Sequence, residues 1–249
     1  MLISTRSLSG YWLDKIFALA KEAGCSGIDL SVDFSIFDTF DSLYLQSLTS
    51  RHQLPIVSVT APSRRMTKKR ASQVVMLAES LSVKIVNFTP PHRSDSEKDW
   101  FSSGLKDLVN EFPNVIINVI NAPPKTWLFI VSEYGDARPE TIKKITEHTA
   151  LSIENIEPES GVDLIKTFTL LGNTISIVFF SDKTEEKSRL FPGEGDMPLE
   201  SFLIRLRELE YPGEFCLDLA PEVLSVWNDN EVVARIKKAE EYLGRYFKK

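Results

Sequence analysis

Residues 151–180 read LSIENIEPESGVDLIKTFTLLGNTISIVFF. The two ends of this stretch, residues 151–156 and 175–180, are short apolar runs, and ISIVFF has almost no polar alternation. Between them, residues 162–171 space their apolar side chains as a helix does. A strand without a polar face is buried on both sides, as in a parallel sheet covered by helices. Strand, helix and second strand together make one βαβ unit.

The same alternation extends in both directions. The sequence predicts strands over residues 2–5, 27–32, 55–61, 84–88, 115–120, 151–156, 175–180 and 213–219. Helices are expected over 11–23, 38–52, 66–81, 96–111, 139–148, 162–171, 198–209 and 229–247. Gly24 suits a helix C-cap, Asp95 or Ser96 an N-cap, and Pro139 a first helical turn. Residues 123–136, with two prolines, Trp127 and Gly135, read as a long loop. Eight βα units in 249 residues match the size of a (β/α)8 TIM barrel, an α/β fold. An open doubly wound sheet would also alternate, but no glycine-rich fingerprint follows the first strand. No linker or low-complexity segment divides the chain, so residues 1–249 are expected to form a single barrel domain.

Composition narrows the function. The chain carries 29 Lys and Arg against 35 Asp and Glu, a net charge of −6. That balance argues against a nucleic-acid partner, whose binders carry a basic footprint. The N-terminal MLISTRSLSG lacks the pattern of a signal peptide, and no apolar run approaches the roughly 20 residues of a membrane span. A soluble, cytoplasmic protein without a membrane partner is expected, its Cys25 and Cys216 being reduced, packed thiols. Only three histidines, His52, His92 and His148, are available as imidazole ligands, which limits metal chemistry.

On a TIM barrel the chemistry lies where each strand ends. Those ends carry Arg6, Asp29, Asp33, Arg64, Arg65, His92, Arg93, Asn121, Lys125, Glu154, Glu157, Asp182, Lys183, Arg189 and Asp218. A strand end is also polar simply because it meets water. Asp218 stands out because it lies between Leu217 and Leu219, where a carboxylate is costly unless paired or used. His92 follows two prolines and is the one histidine near a strand end. His52 and His148 fall near helix C-termini, where a cation-capable ring suits the dipole.

Three segments carry a family resemblance. Ala23-Gly-Cys-Ser-Gly-Ile-Asp-Leu30, Phe191-Pro-Gly-Glu-Gly-Asp-Met197 and Leu209-Glu-Tyr-Pro-Gly-Glu-Phe-Cys-Leu-Asp-Leu219 resemble, in order and spacing, motifs of the xylose isomerase-like barrel superfamily. That superfamily includes sugar-phosphate isomerases and epimerases and the endonuclease IV group. The resemblance implies a divalent metal at the barrel mouth, held by carboxylates and histidines of the later strands. Glu154 and Asp218 match two such carboxylates, Glu157 falls at the place of the sixth-strand histidine, and Asp182 keeps the later acid of the seventh strand. Phe179 and Ile120 fall where a ligand is expected, and the fourth-strand histidine is absent, His92 being the nearest imidazole.

The resemblance therefore implies a sugar or sugar-phosphate isomerase or epimerase with a remodelled or lost metal site. Its ligand would be a small, polyhydroxylated, anionic compound, and Mn²⁺ or Mg²⁺ on Glu154 and Asp218 stands beside a metal-free site as an alternative. Glu154 would be base or ligand, Asp218 its partner, and His92 an acid, a base or a substitute ligand. Lys183 or Arg189 would stabilise oxyanion charge. Lys183, Arg189, Arg93, Arg6 and Arg64 would receive the substrate's anionic group, with Glu157 and Glu194 as further contacts. A barrel that has lost catalysis, acting as a ligand sensor or interaction module, is the rival reading. Endonuclease IV chemistry needs a cluster of histidines and carboxylates that the chain does not supply. The sequence leaves the oligomeric state open.

Overall fold

The computed structural model describes residues 1–95, 97–123, 126–127, 131–135, 138–157 and 163–247. Eight strands close into a parallel barrel: β1 (Leu2–Ser4), β2 (Gly27–Ser31), β3 (Ile56–Thr60), β4 (Ile85–Phe88), β5 (Ile116–Ile120), β8 (His148–Ser152), β9 (Ile175–Phe180) and β10 (Glu214–Leu217). The helices are α1 (Leu13–Ala23), α2 (Ser42–His52), α3 (Lys68–Ser80), α4 (Phe101–Glu111), α5 (Pro139–Thr146), α6 (Leu164–Leu171), α7 (Leu199–Glu208) and α8 (Asp229–Phe247). The expected (β/α)8 order is thus the observed one, and β1 pairs with both β2 and β10 to close the ring. No described helix is long and apolar enough to cross a membrane.

Two buried layers hold the barrel. Outward-facing strand residues such as Ile28, Val86, Val119, Val178 and Phe180 pack against the apolar stripes of the helices. Inside, Leu2, Ile85, Ile120, Ala150, Ile177, Phe179 and Cys216 form a smaller apolar cluster. The interior is also polar on one side. Asp29 accepts hydrogen bonds from the hydroxyls of Ser4, Ser58 and Thr60 at 2.7–2.9 Å. Asn87 donates to Thr60, Asn118 to Asn87, and Ser176 to Asn118. Asp29 and Ser58 come level because the register shifts between Ile28 and Asp29.

Local chemistry sets the helix ends. Gly24 ends α1 at φ 86°, a left-handed position that glycine occupies without strain. Asp41, Thr67 and Asp163 cap α2, α3 and α6 by accepting backbone N–H groups of the first turn. The cap at Asp41 starts α2 later than the sequence predicts, and a 3-10 turn covers Phe37–Thr39 instead. Helix α4 also starts late, at Phe101, because the Asp95 carboxylate accepts the His92 N–H rather than capping; Ser96 lies outside the described residues. Glu147, at φ 63°, stops α5, so His148 opens a strand where the sequence suggested a helix end. Between β5 and α5, two short strands, β6 (Thr126–Trp127) and β7 (Val131–Ser132), pair antiparallel within the expected loop. Cys25 and Cys216 are buried free thiols.

Candidate functional site

Four short segments after barrel strands aim charge at one point. After β1, the 3-10 turn Thr5–Leu8 carries Arg6. After β8, the 3-10 turn Ile153–Asn155 carries Glu154. The loop after β9 supplies Lys183 and Arg189, and Asp218 directly follows β10. Arg189 sits at φ 58°, an uncommon backbone region for a residue with a Cβ.

These side chains form one ion-pair cluster. Arg6 donates its Nε to Asp218 Oδ1 at 2.8 Å and its Nη2 both to Asp218 Oδ2 and, at 2.6 Å, to Glu154 Oε1. Arg189 Nη2 lies 3.0 Å from Asp218 Oδ1 and donates to the Leu219 carbonyl at 2.6 Å. Arg189 Nε stands 4.0 Å from Glu154 Oε2, and Lys183 Nζ donates to the Glu154 carbonyl at 3.2 Å. Burial works against a charge on Asp218, but the Arg6 and Arg189 guanidiniums outweigh it and hold the carboxyl below its ordinary range. Three cations therefore face two carboxylates, leaving one positive charge in excess. Among the described residues, no group of three or more His, Cys, Asp and Glu side chains is placed to hold a metal ion.

Above the cluster opens a cavity of about 260 Å³, whose lining includes Arg6, Ser31, Thr60, Ile120, Tyr134, Ser152, Glu154 and Phe179. Glu154 is the one carboxylate among its described lining residues. Phe179 and Ile120 put an apolar floor beside the charges. Ser152 Oγ and Arg189 Nε are buried and have no hydrogen-bond partner among the described residues. A buried polar atom without a partner is unfavourable, and Ser152 is one of the residues of the cavity wall.

Of the residues expected from sequence, Arg6, Glu154, Asp218, Lys183 and Arg189 come together; His92, Arg93, Glu157 and Glu194 do not join them. His92 does not line the cavity: its Nδ1 bonds the Ser94 hydroxyl and its ring packs edge-on against Tyr134. Arg93 is exposed and is held through its backbone by Glu133 and Lys98. Glu157 stands outside the cavity lining. Glu194 is exposed because its loop curls around Asp182, whose carboxylate accepts the N–H groups of Lys183, Gly193 and Met197. A Cβ on Gly195 would stand 2.4 Å from Asp182 Oδ1, so that curl requires glycine. Asp182 is thus a loop anchor, not a mouth carboxylate. Asp33 turns to Ser35, Asn121 braces the backbone of Ser152, and Lys125 lies outside the described residues.

Arg6 was visible in the sequence only as one of several cations that could meet an anion. Its place between Glu154 and Asp218 was not, since those partners lie 148 and 212 positions away. The one available signal was that buried Asp218 needs a cation, and the barrel order makes the first strand's end its neighbour.

No family model matches the sequence, and no curated protein matches it. Solved structures do match. A D-tagatose 3-epimerase-like protein superposes with a TM-score of 0.71 at 17% identity, over 98% of this chain and 96% of its own. D-allulose 3-epimerase from Methylomonas sp., crystallised with D-allulose, gives 0.73 at 13% identity over 98% and 96%. A xylose isomerase domain containing protein from Salmonella typhimurium gives 0.71 at 14% identity over 97% and 96%. Identities this low speak for architecture. The closed ring of eight parallel strands, matched over nearly the whole chain, makes this a barrel of the xylose isomerase-like TIM fold.

Proposed function

We propose that the barrel mouth binds a small polyhydroxylated anion without a divalent metal, and that it performs sugar isomerase-type proton transfer on it. The observation that carries this reading is the Arg6 guanidinium bridging Glu154 and Asp218. The donor set does not fit a divalent cation. Both carboxylates already give oxygens to guanidiniums, and the neighbouring places hold Phe179 and Ile120. The excess positive charge of the cluster, presented to the cavity through Arg6, suits a carboxylate or phosphate group on the ligand. Ser31, in the lining, suits its hydroxyls. At about 260 Å³ the cavity lies just below the range of drug-sized pockets, which fits a molecule of sugar size.

Glu154 is the base in this scheme. It removes a proton from the carbon next to the ligand's carbonyl, the pair of electrons moves onto the carbonyl oxygen as an enediolate, and Arg6 stabilises that charge. Glu154 then returns the proton to the neighbouring carbon, while the proton of the adjacent hydroxyl passes to the former carbonyl oxygen, so that carbonyl and hydroxyl exchange places. With Glu154 the single carboxylate among the described lining residues, transfer along one face of the enediolate is favoured over epimerisation, which requires an acid on the opposite face. A binding-only sensor is the second reading, favoured by the charge-assisted bond from Arg6 that already occupies Glu154 Oε1.

Protein treated with EDTA should bind members of a panel of sugar acids and sugar phosphates calorimetrically, with affinities unchanged by added Mn²⁺. Stoichiometric metal in untreated protein, or binding that requires Mn²⁺, would overturn the metal-free reading. In D₂O, uptake of deuterium at carbon by a bound ligand, abolished in E154Q, supports proton transfer; binding without uptake leaves the sensor.

A further inference from the structure

A second cavity, of about 590 Å³, lies beside the mouth under the loops that follow β1, β2 and β3. The two cavities share five wall residues, Arg6, Ser31, Val32, Pro62 and Ser63, so a molecule seated in one reaches the edge of the other. Their chemistry differs. The side cavity is walled by Tyr11, Trp12, Leu13, Ile16 and Ile36. Trp12 and Ile36 are 79% and 48% exposed, a large apolar area left open to water at the edge of a charged site. The remaining charge in this cavity, apart from the shared Arg6 and the rim residue Arg64, is acidic: Asp33 and Asp38. Asp33 is held below the ordinary carboxylate range by the Ser35 hydroxyl and N–H. The two arginines and two aspartates of this lining balance, so this end offers no net positive charge to a second anionic group.

We propose that the two cavities form one elongated site, and that its ligand is a sugar-type anion bearing an uncharged aromatic or alkyl substituent. The polar part lies over Arg6 and Ser152, and the substituent lies against Trp12 and Ile36. The proposal rests on the reading of the mouth given above and extends it to the ligand's other end. The loop geometry keeps the aromatic wall in place. Tyr11 packs on Trp227 at 5.3 Å between ring centroids, donates to Asp229 Oδ1, and accepts the Trp227 N–H. Gly10 permits this approach, since a Cβ there would stand 2.9 Å from the Trp227 ring and its φ is 112°.

The test uses two matched pairs titrated into the full chain: D-glucuronate with phenyl β-D-glucuronide, and glucose 6-phosphate with phenyl β-D-glucoside 6-phosphate. In at least one pair the phenyl member should bind about tenfold tighter or more, the return expected from partial burial of a phenyl ring. In W12A and in I36S that ratio should fall towards parity, with both variants checked for folding by their thermal transitions. Equal affinities within both pairs, or ratios untouched by both substitutions, overturn the proposal while leaving the mouth reading intact. Failure of all four probes to bind overturns the mouth reading and this proposal with it. A dimer in sedimentation velocity that W12A dissociates assigns the apolar wall to a second copy of the chain and also overturns it.

Discussion

Ser152 shows how a single atom separates binding from stability. Its hydroxyl is buried in the cavity wall without a partner among the described residues, so removing it takes away an unsatisfied group rather than a bond. S152A should leave the urea midpoint unchanged or raise stability by up to about 1 kcal/mol, while weakening ligand binding several-fold by calorimetry. A variant that lost both would show that the hydroxyl is used within the fold. Arg6 behaves in the opposite way. R6M strips Asp218, 1% exposed, of its bidentate partner and leaves the charge to Arg189 alone. A loss of about 3 kcal/mol in unfolding free energy is expected, and R6K, which keeps the charge but not the fork, should recover only part of it. At this scale the sequence showed the participants better than their pairing. Glu154, Lys183, Arg189 and Asp218 were legible because each follows a buried apolar strand. His92 met the same criterion, yet its ring is turned by Ser94 and Tyr134, contacts that no spacing rule contains.

The loop from β9 to α7 is where element and site meet. Asp182 gathers three backbone N–H groups and thereby fixes the segment that carries Lys183 and Arg189. D182A should therefore free the loop while the barrel stays folded. Rapid amide exchange at Gly193 and Met197 and a fall in ligand affinity are expected, with a thermal midpoint within a few degrees of the parent. Amides that stay protected in D182A would show that the loop is held by other contacts. The sequence marked this loop by its glycines and aimed Glu194 inward. The structure needs the glycines for a different reason, the close approach of Gly195 to Asp182, which turns Glu194 outward. The helices and strands themselves were well marked, because apolar runs and 3.6-residue spacing are local signals. Their ends were less so: α2 and α4 begin where Asp41 caps and Asp95 does not, and that choice depends on which neighbour each carboxylate finds.

At the scale of the whole molecule, the pH dependence of stability should bear the mark of the barrel interior. Burial pushes the Asp29 carboxyl up to about 6 from an ordinary 3.8, although the hydroxyls of Ser58, Thr60 and Ser4 pull it down. The native state thus binds this proton more tightly than the unfolded chain does. Its contribution is fully present below about pH 4 and is lost as pH rises through 6, a change on the order of 3 kcal/mol. Asp218 works in the other sense, its folded pKa being lowered, so its contribution is lost as pH falls through the acid range. The comparison that isolates Asp29 is with D29N, which retains an acceptor for Ser58 and Thr60. Between pH 4 and 7 the parent should lose more unfolding free energy than the variant. Parallel curves would remove Asp29 from the account.

The hydrogen bonds that end at Asp29 also have a direction. Ser176 gives to Asn118, Asn118 to Asn87, Asn87 to Thr60, and Thr60 to Asp29, every donor pointing the same way across β9, β5, β4, β3 and β2. Such a chain can run only one way, because its last member, when ionised, has nothing to donate. It can form only in one alignment, because slipping a strand by one residue turns its side chain out of the barrel. The interior of this protein thus proofreads the order and registration of its staves as the ring closes, a task that a purely apolar lumen would leave to shape alone.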